Sequence, residues 1–333
     1  MKFVLLGILL FQIIACSEKP PVLESVHGYT MGTSYTVKWP MQGDEPQAPV
    51  IKQQIEFLLK VINQQMSTYQ ADSELSQFNA LDAPNKMVVS QALSGLIQQS
   101  MALNTLTDGY FDISVGPIVN LWGFGPDKQP ESMPSEQQME AAKSKVGLSA
   151  ISVEGTLLRK SQQRYLDLSA IAKGYAVDQV AEILESHEIE HYLVEIGGEM
   201  RVRGRKSSEL AWKVAVEKPD ESQRSVQKIF SLTDAAMATS GDYRNYFEMD
   251  GEKYSHTIDP FTAKPVKHSL ASVTIIDETC AQADALATAM LVMGAEKAKA
   301  FSEKHQIRAY LIERTVEGYQ EYTSTAFKRW QTM

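Results

Sequence analysis

Residues 166–204 read LDLSAIAKGYAVDQVAEILESHEIEHYLVEIGGEMRVRG, and their patterning decides the fold class. A strand candidate at 164–168 runs into a predicted helix over about 170–186, and further strands follow at 191–196 and 200–204 on either side of Gly197-Gly198. The glycine pair reads as a turn and is too little for a phosphate loop. Toward the C-terminus more strands are expected at 211–216, 228–233, 245–249, 253–258 and 270–276, with one more helix at about 281–303; a further strand, 157–160, lies upstream. In the other direction, VHGYTMGTSYTVKW at 26–39 predicts a strand pair or one long bent strand near Gly28 and Gly32. Ile51, Ile55, Leu58, Leu59 and Ile62 share one helical stripe within 51–66, and 91–106 repeats the pattern more weakly. Strands in meander order, with helices segregated between them, predict an α+β fold with a largely antiparallel sheet and flanking helices, not a doubly wound parallel sheet.

The chain opens with Lys2 and an apolar run at 3–15 that is too short to span a bilayer as a helix. Ile13-Ile14-Ala15-Cys16 closes it in the manner of a lipobox. The expected organisation is therefore a lipoprotein signal peptide at 1–15, a lipidated Cys16 with a tether over 16–25, and one folded domain at 26–333. With Cys16 consumed by lipid, Cys280 is the only thiol left and no intramolecular disulfide can form. The formal net charge is -9, and it becomes -10 once the signal peptide and its Lys2 are removed. This argues against nucleic acid and anionic lipid as partners and leaves acyl chains to hold the protein to a membrane.

Four stretches could carry chemistry. In AQADALATAMLVMG at 281–294, Asp284 is the only charged residue of a long apolar helix. Burying it unpaired would cost several kcal/mol. Thr288 lies one turn on along the same face, so a carboxylate and a hydroxyl converge as hard oxygen ligands for Mg²⁺ or Ca²⁺. The competing reading makes Asp284 a helix-dipole partner and has Thr288 bonding back to the chain. In 166–184, Ser169 is a candidate cap, and Lys173 stands in the first turns, where a bound anion would relieve it. Against this, Asp167 and Ser169 could serve only as caps, with Lys173 on the surface. TDGYFDISVGPIVNLWGFGP at 107–126 gathers Tyr110, Phe111, Trp122 and Phe124 around Asp112, as a platform for a flat heterocycle or simply as core. YSHTIDPFTAKPV at 254–266 places His256 on a strand ending at Asp259-Pro260, a setting in which histidine is usually structural.

Taken together, MGTSYTV at 31–37, STYQADSELSQFN at 67–79, FDISVGPIVNLWGFG at 111–125, LDLSAIAKGYAVD at 166–178, VEIGGEMRVRG at 194–204, TSGDYRNYF at 239–247, YSHTIDP at 254–260 and QADALATAM at 282–290 resemble the ApbE family in order and spacing. These are FAD:protein FMN transferases, usually lipoproteins. The resemblance implies a T-fold-like α+β architecture whose cleft binds FAD, the substrate, and Mg²⁺. Asp284 and Thr288 match metal ligands, with a backbone oxygen from Ala170, where many relatives carry Thr. Met31, Tyr69, Tyr110, Phe111, Asp112, Asp167, Lys173 and Ile258 match FAD-contacting positions, Lys173 standing where some relatives have Glu. His256 matches a histidine near the reacting phosphate and is the candidate base. The implied reaction attaches FMN from FAD to a Thr or Ser of a partner protein and releases AMP. The implied acceptors are subunits of Na⁺-translocating NADH:quinone reductase or Rnf-type complexes, which places the chain on the periplasmic side of the inner membrane. One alternative shares the cleft, an Mg²⁺-dependent FAD pyrophosphatase yielding FMN and AMP; a different class is a flavin-binding lipoprotein without catalysis, which needs no metal and against which Asp284 and Thr288 speak. Asp284→Ala is expected to remove metal-dependent activity and leave the fold intact.

Overall fold

The structure, a computed structural model, describes residues 22–41, 47–126, 130, 132–207, 210–219, 225–243 and 245–332. The expected signal peptide, Cys16 and most of the expected tether lie outside the described residues.

The described residues open with a hairpin, β1 (Leu23–Thr30) and β2 (Thr33–Pro40), rather than a bent strand. Its two loop residues, Met31 and Gly32, both have positive φ (49° and 73°), the geometry that suits the right-handed twist of a two-residue hairpin. Three helices follow: α1 (Ala48–Met66), α2 (Glu74–Ala80) and, after β3 (Asn85–Val88), α3 (Gln91–Leu106). The stripe of α1 is buried as Ile51, Ile55, Leu59, Ile62 and Met66. Ser73 and Ser90 cap α2 and α3 by accepting from the amides of Ser76 and Leu93. After α4 (Gly116–Leu121) and α5 (Glu136–Lys143), β4 (Ile151–Glu154) and β5 (Leu157–Lys160) join β3 in a small sheet.

Next come α6 (Ala172–Ser186) and the hairpin β6 (Tyr192–Ile196) and β7 (Glu199–Arg203), turning at Gly197-Gly198 as expected. The hairpin β8 (Trp212–Glu217) and β9 (Val226–Leu232) precedes β10 (Ala235–Gly241). Short pairs follow, β11 (Tyr246–Met249) with β12 (Glu252–Ser255) and β13 (Ile258–Asp259) with β14 (Lys264–Pro265). The chain ends through β15 (Leu270–Asp277), α7 (Cys280–Met293), α8 (Ala295–Lys304), β16 (Arg308–Thr315), β17 (Gly318–Thr323) and α9 (Thr325–Gln331).

The main sheet has the order β1-β2-β6-β7-β10-β15-β16-β17, and every pairing in it is antiparallel. One face carries α1, α6 and α7 over the larger core. The other is covered by β8, β9 and α9, which bury Trp212, Phe230 and Phe327 against Met237, Ile276 and Tyr310. The α+β prediction holds, and none of the described helices is long and apolar enough to cross a membrane.

Three expectations are corrected. Residues 164–168 form no strand: Leu166 is bracketed by the Asn79 side chain, which accepts from its N–H and donates to its carbonyl, both at 2.8 Å. One amide side chain thus replaces a ladder partner. The helix expected over 281–303 breaks at Gly294 (φ 75°) into α7 and α8. The strand at 253–258 ends at Ser255, so His256 lies in the connection beyond β12. Among the main-sheet strands, β10, β16 and β17 were not anticipated; β10 reads AAMATSG, too small and weakly β-forming to announce a central strand.

Gly174 fixes how α6 meets α7. A Cβ there would overlap the Cys280 carbonyl oxygen and stand 2.6 Å from the Cys280 carbonyl carbon and 2.8 Å from Ala281 Cα. These are backbone atoms that cannot rotate away. Gly174→Ala is expected to lose roughly 2–3 kcal/mol through overpacking, despite the better helix propensity of alanine. Chemical denaturation of the two proteins would test this, and an unshifted midpoint would mean that the helices are free to separate.

Candidate functional site

The first turns of α6 and α7 cross at Gly174, and neither helix caps itself with a side chain at its own N-cap, Ile171 or Thr279. Each is capped by the other. Asp178 of α6 accepts from the N–H groups of Cys280 and Ala281, both at 2.9 Å, and Asp284 of α7 accepts from Gly174 N–H at 3.1 Å. Orphan amides that would otherwise face a dry interface are thereby satisfied by buried carboxylates. Ser169, the expected cap, instead donates through N–H and Oγ to Asp167 Oδ1. Burial pushes the Asp178 carboxyl above its ordinary range, even though two amides and Arg201, at 3.2 Å, pull it down.

Lys173 is not a surface lysine, and no external anion is needed to relieve it. Its Nζ lies 2.8 Å from Glu199 of β7 and 3.6 Å from Asp284. Burial alone would push the ammonium down, but Asp284 and Glu199 together hold it well above its ordinary value. One cation against two carboxylates leaves the cluster with excess negative charge, and burial pushes the Glu199 carboxyl up to about 7. Asp284 is 2% and Glu199 5% exposed, and among the described residues Glu199 Oε2 is buried without a hydrogen-bond partner.

Those features test whether a cation would fit. Gly174 is the third residue of α6, so its N–H has no partner within the helix; it goes to Asp284 and not to the Ala170 carbonyl. The Thr288 hydroxyl, one turn from Asp284, shares a hydrogen bond with Ser240 Oγ at 3.0 Å rather than returning to its own helix. Among the described residues no group of three or more His, Cys, Asp or Glu side chains could hold a metal. What is present is the Asp284 carboxylate with Glu199 beside it across Lys173, hydroxyls, a carbonyl and surplus negative charge. That set fits Mg²⁺, which typically takes one or two protein carboxylates and completes its shell with water and substrate phosphates.

Of the other expected residues, charge coupling sets His256 near Lys173 and Tyr69 near Asp167. Asp112 and Asp167 make twin turns, Asp112 Oδ1 accepting from Ser114 N–H and Oγ just as Asp167 does from Ser169. Asp167 N–H donates to the Ile113 carbonyl at 2.7 Å, which sets the two turns side by side. Burial raises the Asp112 carboxyl against the bonds from Ser114. Tyr69 is 66% exposed, and its hydroxyl donates to the Phe124 carbonyl at 2.9 Å. Tyr110 meets Phe261 edge-on at 4.9 Å, and its hydroxyl lies 2.5 Å from Lys297 Nζ. Ile258 is buried with Ile118 and Trp122. Phe111 is buried in the larger core and Met31 packs half-buried against it, so the structure joins neither to the group by a side-chain hydrogen bond.

His256 is half-buried, with the Phe124 ring 6.4 Å away edge-on. Its backbone N–H and its Nδ1 both meet the Asn245 carbonyl at 3.0 Å. A carbonyl can only accept, so Nδ1 carries the proton and Nε2 presents its lone pair. Burial lowers the imidazole below its ordinary value, and Lys173 acts in the same direction. Glu199, Ser240 and Asp242 were not anticipated. A signal existed for Glu199, an acid immediately after a tight turn in a strand bound for the sheet, but nothing in the sequence paired it with Lys173.

Residues 31–311 match the ApbE family. A curated relative from Vibrio cholerae, named FAD:protein FMN transferase, is 44% identical over 95% of this chain and 95% of its own. Among solved structures, the flavin transferase ApbE from the same species superposes with a TM-score of 0.86 at 43% identity, covering 93% of this chain and 99% of that one. The apo form of the Pseudomonas stutzeri flavinyl transferase ApbE gives 0.86 at 38% identity, covering 94% and 98%. An α+β fold closed over one acid-rich helix crossing thus defines a flavin-transferase class. This chain belongs to the ApbE family.

Proposed function

We propose that this chain is a transferase that moves FMN from FAD to a Thr or Ser hydroxyl of a partner protein, releasing AMP in an Mg²⁺-dependent reaction. The observation that carries this reading is the crossing of the α6 and α7 N-termini, where Lys173, Asp284 and Thr288 gather within the family's own pattern. The surplus negative charge around Lys173 favours a cation, and a pyrophosphate would follow the cation. Asp284, Thr288 and the Ala170 carbonyl would hold Mg²⁺, which when bound would neutralise phosphate charge.

The remaining chemistry belongs to the chain's own groups. His256 Nε2 takes the proton of the incoming hydroxyl as its oxygen bonds to the FMN phosphorus. The pyrophosphate P–O bond breaks, and its electron pair leaves with AMP. Tyr69, Tyr110, Asp112 and Asp167 line the approach for the flavin nucleotide, and Ile258 adds an apolar wall. Acceptors of the Na⁺-translocating NADH:quinone reductase or Rnf type, and anchoring through a lipidated Cys16 on the periplasmic side of the inner membrane, complete the proposal.

The test incubates protein lacking residues 1–16 with FAD, Mg²⁺ and the periplasmic domain of such an acceptor subunit. The expected result is one FMN added to the acceptor by intact mass, with AMP released and EDTA abolishing both. Free FMN and AMP beside an unmodified acceptor would replace transfer by hydrolysis. Intact FAD would leave only binding.

A further inference from the structure

Beyond Thr239, β10 runs out into a stretch that serves three neighbours in turn. Ser240 Oγ bonds to Thr288 Oγ1. Asp242 is gripped by Arg314 of β16 in a two-pronged pair, Nη1 to Oδ2 at 2.7 Å and Nη2 to Oδ1 at 2.6 Å. Asn245 then offers the carbonyl that fixes His256.

The Arg314–Asp242 pair is built as an anchor. Both prongs are charge-assisted and parallel, the strongest form an ion pair takes in proteins. The side chains are only 34% and 15% exposed, so solvent screens the pair incompletely. Each partner is also held through its backbone: Arg314 N–H donates to the Ser269 carbonyl at 2.8 Å and Asp242 N–H to the Ala271 carbonyl at 3.2 Å. Arg314 therefore ties the exit of β10 to the far side of β15, at the point where the chain leaves the sheet for Asn245.

We propose that Arg314, through its two-pronged grip on Asp242, is a positioning residue that holds the Asn245 carbonyl against His256 Nδ1 and so keeps Nε2 open toward the reacting hydroxyl. The inference rests on His256 acting as the base. Its physical content is that a neutral imidazole takes the tautomer its fixed neighbour dictates, so a carbonyl that drifts releases both tautomer and ring orientation. Arg314 touches no reacting atom and lies beyond residue 311, where the family match ends.

A double-mutant cycle tests it, using full transfer assays with FAD and the acceptor domain named above. Arg314→Ala is expected to lower kcat roughly tenfold to a hundredfold, the range seen when an outer partner that orients a functional group is lost. The KM for FAD should stay within about threefold, since ground-state binding is untouched. Added guanidinium should restore part of the rate, whereas Arg314→Lys, a point charge without the fork, should restore little. In a His256→Ala background, Arg314→Ala should cost nothing further. Asp242→Asn supplies the same cycle should Arg314→Ala fail to fold. An unchanged kcat, a change confined to KM, or an equal loss in the His256→Ala background would overturn the proposal. A His256→Ala enzyme as fast as wild type would first remove the base itself.

Discussion

Asp284→Asn is expected to lower Mg²⁺-dependent FMN transfer by about a thousandfold, since a catalytic metal supplies several kcal/mol of charge stabilisation and each 1.36 kcal/mol is a factor of ten. Asparagine retains an oxygen for Gly174 N–H, so the cap on α6 survives. The charge balance improves without metal: Lys173 would face Glu199 alone, and the cluster would become neutral. The variant should therefore match or exceed wild-type stability in EDTA. Asp284→Ala should keep the fold but lose about 1–3 kcal/mol, because it removes the acceptor from a buried amide. Initial rates across an Mg²⁺ titration, paired with denaturation midpoints, separate the two substitutions. Turnover of Asp284→Asn within tenfold of wild type would rule out the metal assignment.

His256→Ala should reduce transfer by about 10²–10⁴-fold, the usual contribution of a general base, while FAD still binds. The sign of the pH dependence follows from burial, which lowers the imidazole below its ordinary 6.5. A depressed pKa keeps the base neutral to lower pH, so the wild-type acid limb should fall below pH 6.5 and vanish in the variant. A limb centred above 6.5, or one that persists in His256→Ala, would assign the titration to another group. Loss of FAD binding in the variant would move His256 from the reaction to the nucleotide pocket.

The fold class was legible because its evidence is local. The α1 stripe, the turn at Gly197-Gly198 and the alternation of most strands each follow from a few neighbouring residues. β10 was not legible: an Ala-rich strand buried on both faces carries no period, and only its place beneath α7 makes it a strand. The same distinction runs through the site. Asp284 announced itself by isolation on an apolar helix, and Thr288 by spacing. Lys173 was read as exposed or anion-seeking because its true partners, Glu199 and Asp284, lie 26 and 111 residues away. The strand expected at 164–168 failed for a related reason, since its hydrogen bonds come from Asn79, 87 residues distant.

Because α6 and α7 each lack a cap of their own, neither helix start is complete until the other has docked. Formation of the proposed nucleotide seat thus coincides with closure of the central core, and a chain that has folded only one of the two helices has no partial site. Catalytic competence would then report completed folding, and a stalled folding intermediate could not consume FAD.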